Sequence, residues 1–242
     1  MRKFFVIWFR ELGACFLSPV AYVTMVAFLL LANWTFWHVV ETQIGRVESL
    51  PSLLVMSMVL WLPVLATLVT MRLFAEEKRQ GTLEILLTAP VTEWQVALGK
   101  YAGALSFVVI ALAPSMGALY ALTALAPSLP APDAGAMAGG GVILFLLAAY
   151  CVAIGMFFSL LTRNQIIAAV CGFGGMVIPP LSGYLLSLSP FGPERLIRRL
   201  AVEDHLLDFA RGVLDLGTTV LYVSGVLLLL FFSTRVLMLR RL

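Results

Sequence analysis

The chain has 242 residues and a formal net charge of +3, with 61 % hydrophobic and only 12 % charged residues. Soluble domains carry about 45–50 % apolar and about 25 % charged residues, so a water-soluble fold of this size has no way to hide the apolar surplus. The charge balance leaves no footprint for nucleic acid, and the three cysteines, Cys15, Cys151 and Cys171, are scattered without CxxC spacing, which gives neither a disulfide framework nor a zinc site.

The first segment, residues 1–17, places Phe5, Trp8, Phe9, Leu12 and Phe16 at helical spacing, with Arg2, Lys3 and Arg10 elsewhere. That pattern predicts a helix lying in the membrane interface. No small-residue cleavage site follows an early apolar core, so the first long apolar run is expected to stay as a membrane helix. Six runs meet the need for about 20 apolar residues per crossing. They lie at about 19–40, 53–71, 101–126, 138–161, 166–188 and 218–238. Ser18-Pro19 opens the first with a capping hydroxyl and a proline at the first helical position. Pro127, Pro130 and Pro132 break the chain after the third, and a turn at 162–165 makes the fourth and fifth antiparallel neighbours. Arg235, near the end of the last run, is expected to snorkel to the interface.

The fold class is therefore an all-α polytopic membrane protein, a single transmembrane domain over residues 1–242 with six transmembrane helices. Basic residues favour the cytoplasmic side. With both termini inside, that side holds Arg2, Lys3, Arg10, Arg72, Lys78, Arg79, Lys100, Arg163, Arg235, Arg240 and Arg241, or 11 of the 16 Lys and Arg residues. The reading is N-in, C-in.

Two polar segments interrupt the apolar pattern. Residues 72–100 form a charged cytoplasmic insert in which Gly81 breaks a charged run and Thr82 is placed to cap a short helix sharing Leu83, Leu86 and Leu87 on one face. Pro90 ends that helix, and Thr92-Glu93-Trp94-Gln95 reads as a capping box with Val91 and Val96 as its hydrophobic staple. The insert is either a docking knob for a soluble partner or an ordinary solvated loop. Residues 189–217 form an outer insert, opened by Pro190 and Pro193. Its second half sets Leu206, Leu207, Ala210, Val213 and Leu214 against Asp208, Arg211 and Asp215 at ion-pair spacing.

Chemistry is poorly represented. No GxxxxGK[ST] phosphate loop occurs, and Gly99-Lys100 lacks both the spacing and the hydroxyl. An intramembrane serine protease needs a serine and a partner histidine inside the bundle, whereas Val223-Ser224-Gly225 lacks the preceding glycine and His38 and His205 fall at the outer edge. The same two histidines fail as haem ligands. The absence of Asp, Glu or Lys deep in a span argues against a proton-driven carrier. Asn33 and Thr35 are the most polar positions at depth and face either a neighbour or a substrate path. Gly172, Gly174 and Gly175 before Pro179-Pro180 read as close helix contact or as a hinge.

The run Glu77…Gly81-Thr82-Leu83-Glu84…Leu86-Leu87…Pro90-Val91 resembles the signature of ABC-2-type transporter permeases. The start, Phe16-Leu17-Ser18-Pro19-Val20-Ala21-Tyr22, and the segment Asp208 to Asp215 before the last span resemble the gliding-motility-type branch of that family. The resemblance implies the permease subunit of an ATP-binding-cassette transporter, an exporter by expectation, in the plasma (inner) membrane of a bacterium. The resemblance also implies a subunit that is not itself an enzyme. Implied partners are two copies of an ABC ATPase subunit and a second permease chain, the same or related. ATP and Mg are expected on the ATPase, with no cofactor in this chain. Thr82, Leu83, Glu84, Leu86 and Leu87 would form the coupling helix that meets the ATPase. Leu207, Phe209, Arg211 and Asp215 would belong to re-entrant helices shaping an outer gate. The alternative is a non-transporting membrane anchor or assembly factor that docks a soluble partner.

Overall fold

In lipid every backbone polar group must find its partner within the protein, so apolar runs of this length become helices. The computed structural model describes residues 2–43, 50–83, 91–125, 133–187, 206, 209, 212–213 and 215–241, and among these every regular element is helical. In chain order they are α1 (Arg2–Leu17), α2 (Pro19–Gln43), α3 (Leu50–Thr70), α4 (Ala75–Gln80), α5 (Glu93–Leu125), α6 (Ala134–Leu161), α7 (Gln165–Ser187) and α8 (Leu216–Arg241). Helices α2, α3, α5, α6 and α8 are long and apolar enough to cross a membrane, and α7 adds a shorter apolar stretch, Gln165–Ile178. The all-α membrane architecture expected from the sequence is the one observed, and each of the six apolar runs overlaps one of these helices.

Local chemistry sets the boundaries. Thr92 and Gln95 form the expected reciprocal capping box: Gln95 N–H donates to Thr92 Oγ1 and Thr92 N–H donates to Gln95 Oε1, both at 3.3 Å. Asp133 caps α6 by accepting from Gly135 N–H at 3.0 Å. In the turn after α6, the Asn164 side chain accepts Ile166 N–H at 2.9 Å and so starts α7. Ser18 departs from expectation. Its carbonyl accepts Ala21 N–H, but its hydroxyl accepts Arg72 Nη1 at 3.1 Å in place of capping α2. A charged donor competes well with a backbone amide for one hydroxyl oxygen.

Helix α6 is the hub. It packs on α3, α5, α7 and α8, while α2 lies on α3 and α1 lies along α5. Helices α2 and α8 turn long apolar faces outward, with Val23, Leu30, Trp34, Val220, Leu227 and Leu239 exposed. These faces suit acyl chains. Between helices, lipid offers no hydrophobic gain, so close approach through small residues and interhelical hydrogen bonds must hold the bundle. Both are present. Asn33 Nδ2 donates to Ser115 Oγ of α5 at 3.0 Å, and Trp61 Nε1 of α3 donates to Thr35 Oγ1 at 3.3 Å. Asn33 and Thr35 thus serve neighbouring helices. On α7, a Cβ added at Gly175 would meet the Phe158 ring at 2.8 Å, so this glycine marks a close helix contact.

Candidate functional site

The polar features converge at one end of the bundle, where α1, α4, the start of α5 and the end of α6 meet. Helix α1 reaches this place because α5 is bare on the facing side. Gly99 and Gly103 sit one turn apart, and a Cβ on either would meet Ile7 or Glu11 side-chain atoms at 2.7 Å. The two glycines let the helix backbones close together, as small residues four apart do in membrane packing. Trp8 Nε1 then donates to Ser106 Oγ at 3.0 Å. Phe5 and Phe9 stay exposed on another side of α1, which fits a helix lying in the interface.

Lys100, one residue before the third apolar run, is 1 % exposed. A Lys ammonium has three donors. All three are used: Glu77 Oε1 at 2.8 Å, Glu11 Oε1 at 3.0 Å and the Leu73 carbonyl at 3.0 Å. The ammonium also lies 5.2 Å from the centroid of the buried Phe74 ring. Arg10 joins the same carboxylates, 2.6 Å from Glu11 Oε1 and 3.4 Å from Glu77 Oε1. Burial by itself raises the Glu11 carboxyl, but the Lys100 charge, hydrogen bonds from Arg10 and Lys100, and the Arg10 charge together hold it below its ordinary value. The expectation that no Lys lies deep in a span does not cover Lys100, which precedes the third apolar run. Lys100 is enclosed by protein at the edge of a span, and its desolvation is offset by two carboxylates and a carbonyl. A recess of about 340 Å³ adjoins the cluster, lined in part by Arg10, Arg72, Glu76, Glu77 and Lys100.

Below α3 the chain makes an elbow at Met71–Phe74 before α4 begins. Ser159 of α6, fully buried, holds it. Its hydroxyl accepts Phe74 N–H and Ala75 N–H, both at 3.1 Å, and donates to the Met71 carbonyl at 3.1 Å. Helix α4 ends at Gly81, whose φ of +72° suits glycine and whose N–H donates to the Glu77 carbonyl. Thr82 is exposed and its hydroxyl folds back to the Glu77 carbonyl at 3.4 Å, whereas Leu83 is buried in the bundle core. Glu84, Leu86 and Leu87 lie outside the described residues.

At the opposite end, Phe209 is fully buried. Its carbonyl packs against Gly139 of α6 and accepts Gly212 N–H at 2.9 Å. Asp215 starts α8: its carboxylate accepts Gly217 N–H, Thr218 N–H and the Thr218 hydroxyl at 3.1, 2.9 and 2.7 Å. Leu207 and Arg211, and with them the ion pairing expected of Asp208 and Arg211, lie outside the described residues.

Residues 14–185 match the family described as ABC-2 family transporter protein. The match runs from α1 through the polar insert to α7. The chain belongs to the ABC-2 transporter family. Comparison with curated proteins gives no match. As an ABC-2 protein with several apolar membrane helices, the chain is a multi-pass transmembrane subunit of a transporter. The ABC-2 family is generally one of non-catalytic membrane subunits served by an ATPase on a partner.

Sequence reasoning reached the insert but not the network that anchors it. In the sequence Lys100 reads as a cytoplasmic charge and as an incomplete phosphate-loop lysine, although a lone Lys between Gly99 and Gly103 on a helix start is a usable signal. Ser159 gave none, because its partners lie 84 to 88 residues away.

Proposed function

We propose that this ABC-2 protein is the permease subunit of an ATP-driven exporter in a bacterial inner membrane. It crosses six times with both termini inside, pairs with a second permease chain, and is driven by two ATPase subunits that hold ATP and Mg. The observation that carries this reading is the insert between α3 and α5. It leaves the bundle through an anchored elbow, passes α4 and the Gly81 break, and enters residues 84–90, which have the pattern of a coupling helix. Leu83, buried in the bundle, ties the permease side of that segment. Glu84, Leu86 and Leu87 supply the polar and apolar contacts to an ATPase groove. This chain has no phosphate loop, so its part is to move as helices when the ATPase pair closes. The segment around Phe209 and the capped start of α8 shapes the outer gate.

The test is co-purification with a co-expressed ABC ATPase subunit, using the wild-type chain and the Glu84→Arg and Leu86→Asp variants. The expected result is stable assembly with wild type and loss of most of the ATPase from each variant. Equal recovery from all three overturns the coupling assignment. A reporter fused after Leu242 tests orientation, and an outside signal overturns N-in, C-in.

A further inference from the structure

We propose that the Met71–Phe74 elbow is a rigid joint that carries motion of the polar insert into the membrane bundle, with Ser159 and Lys100 as the residues that position it. The inference rests on the ATP-driven reading above.

A break between two helices is ordinarily a soft place, because the amides and carbonyls at the helix ends lose their partners. Here the loose groups are taken up from other spans. Ser159 of α6 accepts Phe74 and Ala75 N–H and donates to the Met71 carbonyl, which uses its whole hydrogen-bonding capacity. Lys100 of α5 donates to the Leu73 carbonyl and, through Glu77, grips α4 itself. Arg72, within the elbow, reaches Ser18 at the junction of α1 and α2. Capping a helix end needs one polar neighbour. Three anchors from three different parts of the bundle do more: they remove the hinge. Ser159 and Lys100 are at most 1 % exposed, so water has little access to substitute for either. Bonds to the ammonium are roughly twice as strong as neutral ones. A displacement of α4 is therefore passed to α5 and α6 and is not absorbed at residues 71–74. Because α6 is the hub against which α3, α5, α7 and α8 pack, motion entering there reaches most of the bundle.

The experiment uses the full chain in complex with the ABC ATPase that co-purifies with it, reconstituted in lipid nanodiscs. It measures ATP turnover against ATP concentration for wild type, Ser159→Ala, Lys100→Met and Lys100→Arg, with the thermal transition of each. Ser159→Ala and Lys100→Met are expected to stay assembled and keep the KM for ATP, while kcat departs from the wild-type complex by roughly 2- to 30-fold, the range found for changes along coupling elements. Lys100→Arg, which keeps charge and donors, should recover most of the wild-type kcat. Folded, assembled Ser159→Ala and Lys100→Met variants with wild-type kcat overturn the joint while leaving the ATP-driven reading intact. A Lys100→Arg no better than Lys100→Met overturns the role given to its charge. Loss of fold in both Ser159→Ala and Lys100→Met, or loss of the ATPase from either while folded, reduces the elbow to a structural or docking element and overturns it as well. A wild-type chain that assembles with no ATPase overturns both readings.

Discussion

Glu11 illustrates how the charged end is held together residue by residue. Its carboxylate lies between Arg10 and Lys100, and its folded-state proton affinity is lowered from the ordinary value of 4.5. A lowered carboxyl stabilises the fold at pH values above its unfolded value, and that contribution is lost as pH falls through the folded value. Docking of α1 should thus be insensitive to pH from neutrality down to about 5, then weaken progressively as acid enters and passes the ordinary carboxylate range. The check is the thermal transition of the purified chain against pH. Wild type should lose stability below about pH 4.5, and Glu11→Gln should be less stable at pH 7 with a flatter acid limb. A variant with the wild-type slope would remove Glu11 from this role.

Among the elements, the contact between α1 and α5 leaves no room for a single added methyl group. In a free helix, replacing glycine by alanine gains up to about 1 kcal/mol. At Gly103 the new Cβ would meet Glu11 Cβ at 2.7 Å and the Leu12 amide at 3.3 Å. These are not flexible side-chain tips, so α1 itself must move, and overpacking costs typically about 1–3 kcal/mol. The second effect wins. Gly103→Ala should lower the thermal transition and red-shift the fluorescence associated with Trp8, whose indole bonds to Ser106. A raised transition would mean that α1 does not press on α5. The elements themselves were legible for a simple reason: a membrane span is a long apolar run, and a capping box such as Thr92 with Gln95 is local in sequence. The site was less legible because its contacts are not local. Lys100 meets Glu11 and Glu77 across 89 and 23 positions, and only folding brings those three helices to one corner. The proline-started helix at Ser18 was placed correctly, yet its hydroxyl went to Arg72, a competition that no local pattern reveals.

At the scale of the whole molecule, the bundle is apolar outward and polar at one corner. That corner joins α1, the elbow after α3, the start of α5 and the end of α6 through one buried ammonium and one buried hydroxyl. This corner adjoins residues 84–90, the segment proposed above to meet the ATPase. The most direct measurement is ATP turnover by the ABC ATPase that co-purifies with this chain, alone and bound to it in lipid nanodiscs. The bound ATPase is expected to turn over at a different rate from the free one, and Leu86→Asp to abolish the difference. Turnover that is the same with and without the wild-type chain would contradict it.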